Sequence, residues 1–301
     1  MRIVLGLGGN ALLLRNEAPE AETQRRNVEK AVAAIAPLAR RHQLVITHGN
    51  GPQIGLLALQ SASYRTSGPY PLDLLGAESQ GMIGYLLDLA LANALPDRRI
   101  ATLLTEVEID PKDPALAAPK KPIGPLYSEG EARRIAAGSG WTMMREEKGW
   151  RRAVASPMPQ RIRQTQTIKL LLDAGVILVC TGGGGVPVVA SNACGLRGVE
   201  AVIDKDHASA LLAGALAADL LLLLTDVRAV WSRWPPEEGE PIGRTTPKAL
   251  AAFAFAEGSM KPKVEAACRF VEKTGRVAAI GAIEDAEAIV DGSAGTRIER
   301  A

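Results

Sequence analysis

The chain has 301 residues, 47% hydrophobic and 23% charged, with a formal net charge of +2. That balance fits a globular protein with a well-buried core, as one large domain or two smaller ones. Basic pairs such as Arg25-Arg26, Arg98-Arg99 and Arg151-Arg152 are scattered, with no basic stripe interleaved with aromatics, which argues against nucleic-acid binding. Cys180, Cys194 and Cys268 lie far apart with no C-x-x-C, which excludes a zinc knuckle, argues against a disulfide framework and fits a reducing cytoplasm.

In chain order, the apolar run 3–7 predicts a first strand, with no basic and apolar leader ahead of it. A helical pattern at 24–40 leads to a second strand at 44–47, and residues 48–55, "HGNGPQIG", follow directly. Three glycines and a proline in eight positions suit neither a continuing strand nor an ordinary helix interior. A helix is predicted at 75–94 and a strand at 100–104. Residues 107–158 then break the alternation: they are rich in proline and hold Trp141 and Trp150, which predicts a small ordered subdomain protruding from a single 301-residue domain. Beyond it come a helix at 161–173, a strand at 176–180, "TGGGG" at 181–185, and a helix at 205–217 leading into the strand 220–224. Asp219 and Gly214 break the apolar stretch 208–224, which therefore reads as helix plus strand and not as a membrane span. A helix at 262–273 and a strand at 277–281 complete the pattern. Strands apolar on both faces, alternating with helices, predict a three-layer α/β protein with a largely parallel sheet.

Of the known nucleotide motifs, "GLGGNA" at 6–11 matches G-x-G-x-x-A, but the second strand ends in His48-Gly49-Asn50-Gly51 where a dinucleotide site wants an acid. No P-loop, H-R-D, D-F-G or H-E-x-x-H occurs. Three glycine clusters, at 8–9, 49–51 and 182–185, each close a strand. In a parallel sheet those ends share one crevice, where main-chain N–H groups and helix N-termini attract an anion. Lys205 and Asp206 sit where a strand end turns into a helix, Lys263 follows a capping Ser259 and first-turn Pro262, and Lys121 lies on the excursion in "KPIGP". A lysine near a helix start opposes the dipole and calls for an anion. His48 and His207 read as structural and His42 as exposed.

The ordered series "GGNA", "HGNGPQIG", "SQGMIGY", "KPIGP", "GGGGVPV", "IDKDHAS", "LTDV" and "GSMKPKVEAA" resembles the carbamate kinases, within the amino-acid kinase superfamily, over residues 2–298. Glu78, Met158 and Lys261 depart from the family pattern. The resemblance implies a three-layer αβα sandwich with a lid subdomain at 107–158, a carbamate- and phosphoryl-binding half at 1–200, a nucleotide-binding half at 201–301, and a homodimer. It implies Mg-dependent phosphoryl transfer between ATP and carbamate, with carbamoyl phosphate and ADP as products, and no metal site built from protein residues. Gly8, Gly9, Asn10, Gly49, Asn50, Gly51, Gly183 and Gly184 would hold the carbamoyl and phosphoryl groups. Lys121, Lys205 and Lys263 would offset charge, with Asp206 orienting lysines. Thr225, Asp226, Val227, Trp231 and Met260, with Lys263, would line the nucleotide pocket. Superfamily relatives carry a lysine in a K-L-G-G motif on the first strand; here the corresponding residues are Gly6-Leu7-Gly8-Gly9, and Lys121 stands in for the missing charge. Open alternatives are a kinase of acetylglutamate or UMP, which would lack "HGNGPQ" and "KPIGP", and a non-catalytic nucleotide sensor, which would be expected to lose some of the lysines. The apolar helix 82–92 is expected to contribute to the dimer interface.

Overall fold

The computed structural model describes residues 1–13, 17, 20–64, 70–146, 148–191, 195–235, 238–255 and 260–300. Ser259 and Cys194 lie outside the described residues. Eight strands form the central sheet in the spatial order Arg244–Thr245, Thr296–Ile298, Val277–Ala282, Leu220–Thr225, Arg2–Leu7, Gln43–His48, Ile177–Val179 and Ile100–Thr102. The six from Val277–Ala282 to Ile100–Thr102 run parallel, and Thr296–Ile298 is antiparallel to its inner neighbour. Successive side chains leave a strand on opposite faces, so Val4, Val45, Leu178, Leu221 and Ile280 enter one core while Leu5, Ile46, Val179, Leu222 and Ala279 enter the other. Helices Thr165–Asp173, Lys205–Ala215 and Met260–Thr274 cover the first face. Helices Ala21–Arg41 and Leu72–Ala94 cover the second. This is the expected αβα sandwich, and both halves of the chain share its one sheet.

Three elements differ from the sequence expectation. Residues 51–55 open a helix, Gly51–Tyr64, in which Pro52 occupies the first turn, where no intrahelical N–H bond is lost. Residues 161–162 finish the strand Pro159–Ile162, so the following helix starts only at Thr165. A second, four-stranded sheet, in the order Gly195–Gly198, Val186–Ser191, Glu106–Ile109 and Pro159–Ile162, has no counterpart in the predicted elements. It brings together the two ends of the 107–158 excursion: Val107 pairs with Ile162 and Glu108 with Arg161. Among the described residues no helix is long and apolar enough to cross a membrane.

Within the excursion, strands Lys121–Tyr127, Gly149–Val154 and Met143–Glu146 form an antiparallel sheet beside the helix Glu129–Ser139. A reciprocal Ser128–Glu131 box starts that helix and Gly140 ends it. The unit rests on the body through a small apolar cluster of Ile123 and Val154 with Ile54, Ala58, Leu72, Leu75 and Val202. Trp141 packs on the same cluster, with the Arg152 guanidinium 3.9 Å from its ring centre. Arg152 also donates to Glu200 at 3.0 Å, and the other Glu200 oxygen accepts the first-turn N–H of Leu72 at 2.6 Å. At one point the two parts meet main chain to main chain: a Cβ on Gly55 would fall 2.1 Å from Cα of Gly124.

Candidate active site

The strand order reverses between Arg2–Leu7 and Leu220–Thr225, the position where ligands settle in open α/β sheets. Both strands end among the predicted residues. The Gly8 N–H donates to Leu224 O at 3.0 Å and the Gly49 N–H to Leu7 O at 3.1 Å. Those two N–H groups tie strand ends together. Helices begin at once after each, at Gly9 and Gly51. Their first-turn N–H groups, on Gly9, Asn10 and Gly51, have no intrahelical partner. At Gly49 the two loops come close: a Cβ there would lie 3.1 Å from the Gly9 nitrogen, a tight contact with main chain.

The third glycine cluster does different work. A Cβ on Gly183 would fall 2.2 Å from Nδ2 of Asn50, and the Gly184 N–H already donates to Thr181 O at 3.1 Å. Gly183 and Gly184 are buried, and Gly183 packs against Asn50 of the second loop. Asn50 is fixed between Gly183 and Ser79, whose hydroxyl accepts from its Nδ2 at 2.8 Å. His48, also buried, has Nδ1 at 3.0 Å from Gly49 O. Burial pulls the His48 imidazole down to about 4, so it stays neutral and acts as a prop. His42 is half-buried, where exposure was expected.

Charge concentrates at the start of the helix Lys205–Ala215. Asp204 caps it, accepting from the N–H groups of Asp206 at 2.9 Å and His207 at 3.4 Å. Lys205 Nζ lies 2.6 Å from one Asp206 oxygen and Lys263 Nζ 2.9 Å from the other. Lys121, from the protruding sheet, reaches the free oxygen of Asp204 at 2.5 Å. The anions that offset lysines near helix starts are thus the protein's own. Burial pulls the Lys205 ammonium down to about 8, with Lys263 adding to the effect and Asp206 opposing it. Burial alone would raise the Asp206 carboxyl, but the two lysines hold it well below the usual carboxylate range. Lys263 ends above its ordinary value because Asp206 overrides its desolvation. Three lysines and two carboxylates leave this corner of the crevice cationic.

On the C-terminal side, Thr225 ends its strand next to Gly8, where a Cβ on the glycine would be 3.7 Å from Thr225 Cα. The Thr225 hydroxyl donates to Asp226 at 3.1 Å. Val227 and Trp231 follow on the same connection, half-buried, and Met260 and Lys263 belong to the first turn of the helix Met260–Thr274. The structure thus gathers every predicted lysine, Asp206 and the first two glycine loops at one end of the sheet. Asp204 and Glu200 escaped sequence reading. An aspartate two residues before Asp206, ahead of a helical pattern, is an N-cap signal that would have found the first.

A model of the amino acid kinase family matches residues 1–281. The chain is 52% identical to a carbamate kinase of Rhizobium meliloti (strain 1021) over 301 residues, covering 99% of this chain and 93% of that one. It is 41% identical to a carbamate kinase of Pyrococcus furiosus, covering 99% and 98%. Among solved structures, the carbamate kinase from Giardia lamblia bound to AMP-PNP superposes with a TM-score of 0.90 at 38% identity, covering 100% of this chain and 98% of that one. With a matching family model, whole-length relatives and the same architecture, the chain belongs to the amino acid kinase family and, within it, to the carbamate kinases.

Proposed function

We propose that the protein transfers a phosphoryl group between ATP and carbamate, running in the cytoplasm from carbamoyl phosphate and ADP toward ATP at the end of arginine catabolism. The observation that carries this reading is the convergence of Lys121, Lys205 and Lys263 on Asp204 and Asp206, beside two glycine loops that open helices. Phosphoryl transfer needs in-line positioning and charge neutralisation more than covalent chemistry. The first-turn N–H groups of Gly9, Asn10 and Gly51 hold the carbamoyl and moving phosphoryl groups. Lys205 and Lys121 offset charge on the equatorial oxygens. Lys263 does so on the nucleotide phosphates, and Asp206 sets the spacing of its two lysines. Thr225, Asp226, Val227, Trp231 and Met260 line the nucleotide side, on the C-terminal half. Residues 107–158 act as a lid that brings Lys121 over the crevice.

Asp206 accepts from lysines on both oxygens, and Asp204 accepts from Lys121 and from helix N–H groups. These oxygens are engaged by the protein's own donors, and a magnesium ion carried mainly on nucleotide phosphates and water needs no cage of protein carboxylates. When bound it neutralises charge between the β- and γ-phosphates. Purified protein is expected to make ATP from Mg-ADP and carbamoyl phosphate in a coupled assay. Acetylglutamate or UMP as the better forward acceptor would overturn the substrate assignment.

The protein acts as a homodimer, joined through the helix Leu72–Ala94. Leu74, Tyr85 and Leu89 are 49%, 56% and 40% exposed on one side of that helix, in line with Gly81. A Cβ on Gly81 would meet nothing within 4 Å, so the body of the protein does not require glycine there. Glycine costs about 1 kcal/mol against alanine in a helix interior, and close approach by the same helix of a second copy accounts for it. Light scattering at micromolar concentration is expected to give twice the chain mass, and a monomer would refute the assignment.

A further inference from the structure

Asp204 belongs to two structures at once. Its Oδ1 caps the helix that carries Lys205, and its Oδ2 holds the ammonium of Lys121, a residue of the protruding sheet. The pair is largely shielded, with side chains 28% and 14% exposed. Lysine hangs its charge on a flexible four-carbon stem and loses considerable rotamer freedom when held. Asp204, the partner of Lys121, also acts electrostatically on Lys205 and Lys263.

We propose that Asp204 is the positioning residue for Lys121, fixing the lid lysine in register with Lys205 through one carboxylate. An ammonium has three N–H donors. One on Asp204 leaves two for phosphoryl oxygens, so the contact need not break when the substrate arrives. Because the same side chain caps the helix, the first turn that sets Lys205 also sets Lys121. The inference rests on the proposed contact between Lys121 and the transferred phosphoryl group.

The capping and positioning roles separate by substitution. Asparagine and serine both cap helices well, but asparagine lacks the charge to hold Lys121 and serine lacks the reach. Full-length Asp204→Asn and Asp204→Ser are expected to keep the melting temperature within a few degrees and KM for ADP within about threefold, while kcat falls about 10- to 100-fold, the scale of one charged hydrogen bond. The double variant Asp204→Asn/Lys121→Ala is expected to be no slower than Lys121→Ala alone, because each change disables the same lysine. Multiplied losses in the double variant would overturn the inference, as would normal kcat in Asp204→Asn beside an impaired Lys121→Ala. Normal kcat in Lys121→Ala itself would remove the underlying reading and the inference with it.

Discussion

Replacing Lys121 by alanine is expected to lower kcat by about two to three orders of magnitude, the usual loss for one preorganised charge donor in a closed site. The first strand ends in Gly6-Leu7-Gly8-Gly9, without a cation, and the negative charge of the transition state still spreads over the equatorial oxygens. Lys121 reaches from the protruding sheet to Asp204, which caps the helix of Lys205. KM for ADP should move little, since the proposed nucleotide-side groups lie at 225–231 and on the helix Met260–Thr274. Lys120 supplies the internal control: it is exposed, its main-chain N–H bonds Val154 O at 3.2 Å, and Lys120→Ala should be nearly silent. Steady-state kinetics of the two variants decide the matter. Equal damage from both would show that the charge comes from elsewhere.

Asp206→Ala should be the most destabilising single change in the site. The carboxylate is 5% exposed and its two lysines 9% and 12%, so removal leaves two buried ammonium groups facing each other. Breaking a buried ion pair by deleting one partner costs about 3–5 kcal/mol. Lys205, already drawn down to about 8 by burial, would lose the carboxylate that opposes that shift and become neutral near pH 7. A large drop in the denaturant midpoint and loss of turnover are the expected results. Inorganic phosphate should restore part of the stability of the variant while shifting the parent less, because an anion between the lysines replaces the missing charge. A variant that unfolds at the parent's midpoint would show that Asp206 does not hold the pair.

The six core strands were legible because each is an uninterrupted apolar run, the pattern that burial on both faces imposes. The second sheet was not: Gly195–Gly198, Glu106–Ile109 and Pro159–Ile162 are only four residues each and carry charges, and Val186–Ser191 is interrupted by Pro187. Glu106–Ile109 and Pro159–Ile162 are held in part by Arg161 and Arg163 on Glu106 and Glu108, cross-strand charges that carry no periodicity. In the site, Lys205 and Lys263 stood out as charges misplaced for their helices. Asp204 did not, because an N-cap aspartate already satisfies local expectation. The glycine clusters were read alike, yet Gly8 and Gly49 bond neighbouring strand ends while Gly183 makes room for Asn50. Composition tells that something comes close to the main chain. It does not tell whether that is a ligand or the chain itself.

Gly55 and Gly124 carry that distinction into the history of the sequence. A Cβ at Gly55 would meet main-chain atoms of Gly124, at 2.1 Å from Cα and 2.6 Å from nitrogen, and a backbone cannot rotate out of the way as a side chain can. Gly124 has room for a side chain, 3.5 Å from Gly55 Cα, but its φ of +76° disfavours any residue with one. Each position therefore rejects drift for a different reason, and neither can compensate for the other. Any lineage that substitutes Gly55 must first move the strand that bears Lys121, so the route between sequences passes through a form with its lid lysine out of place.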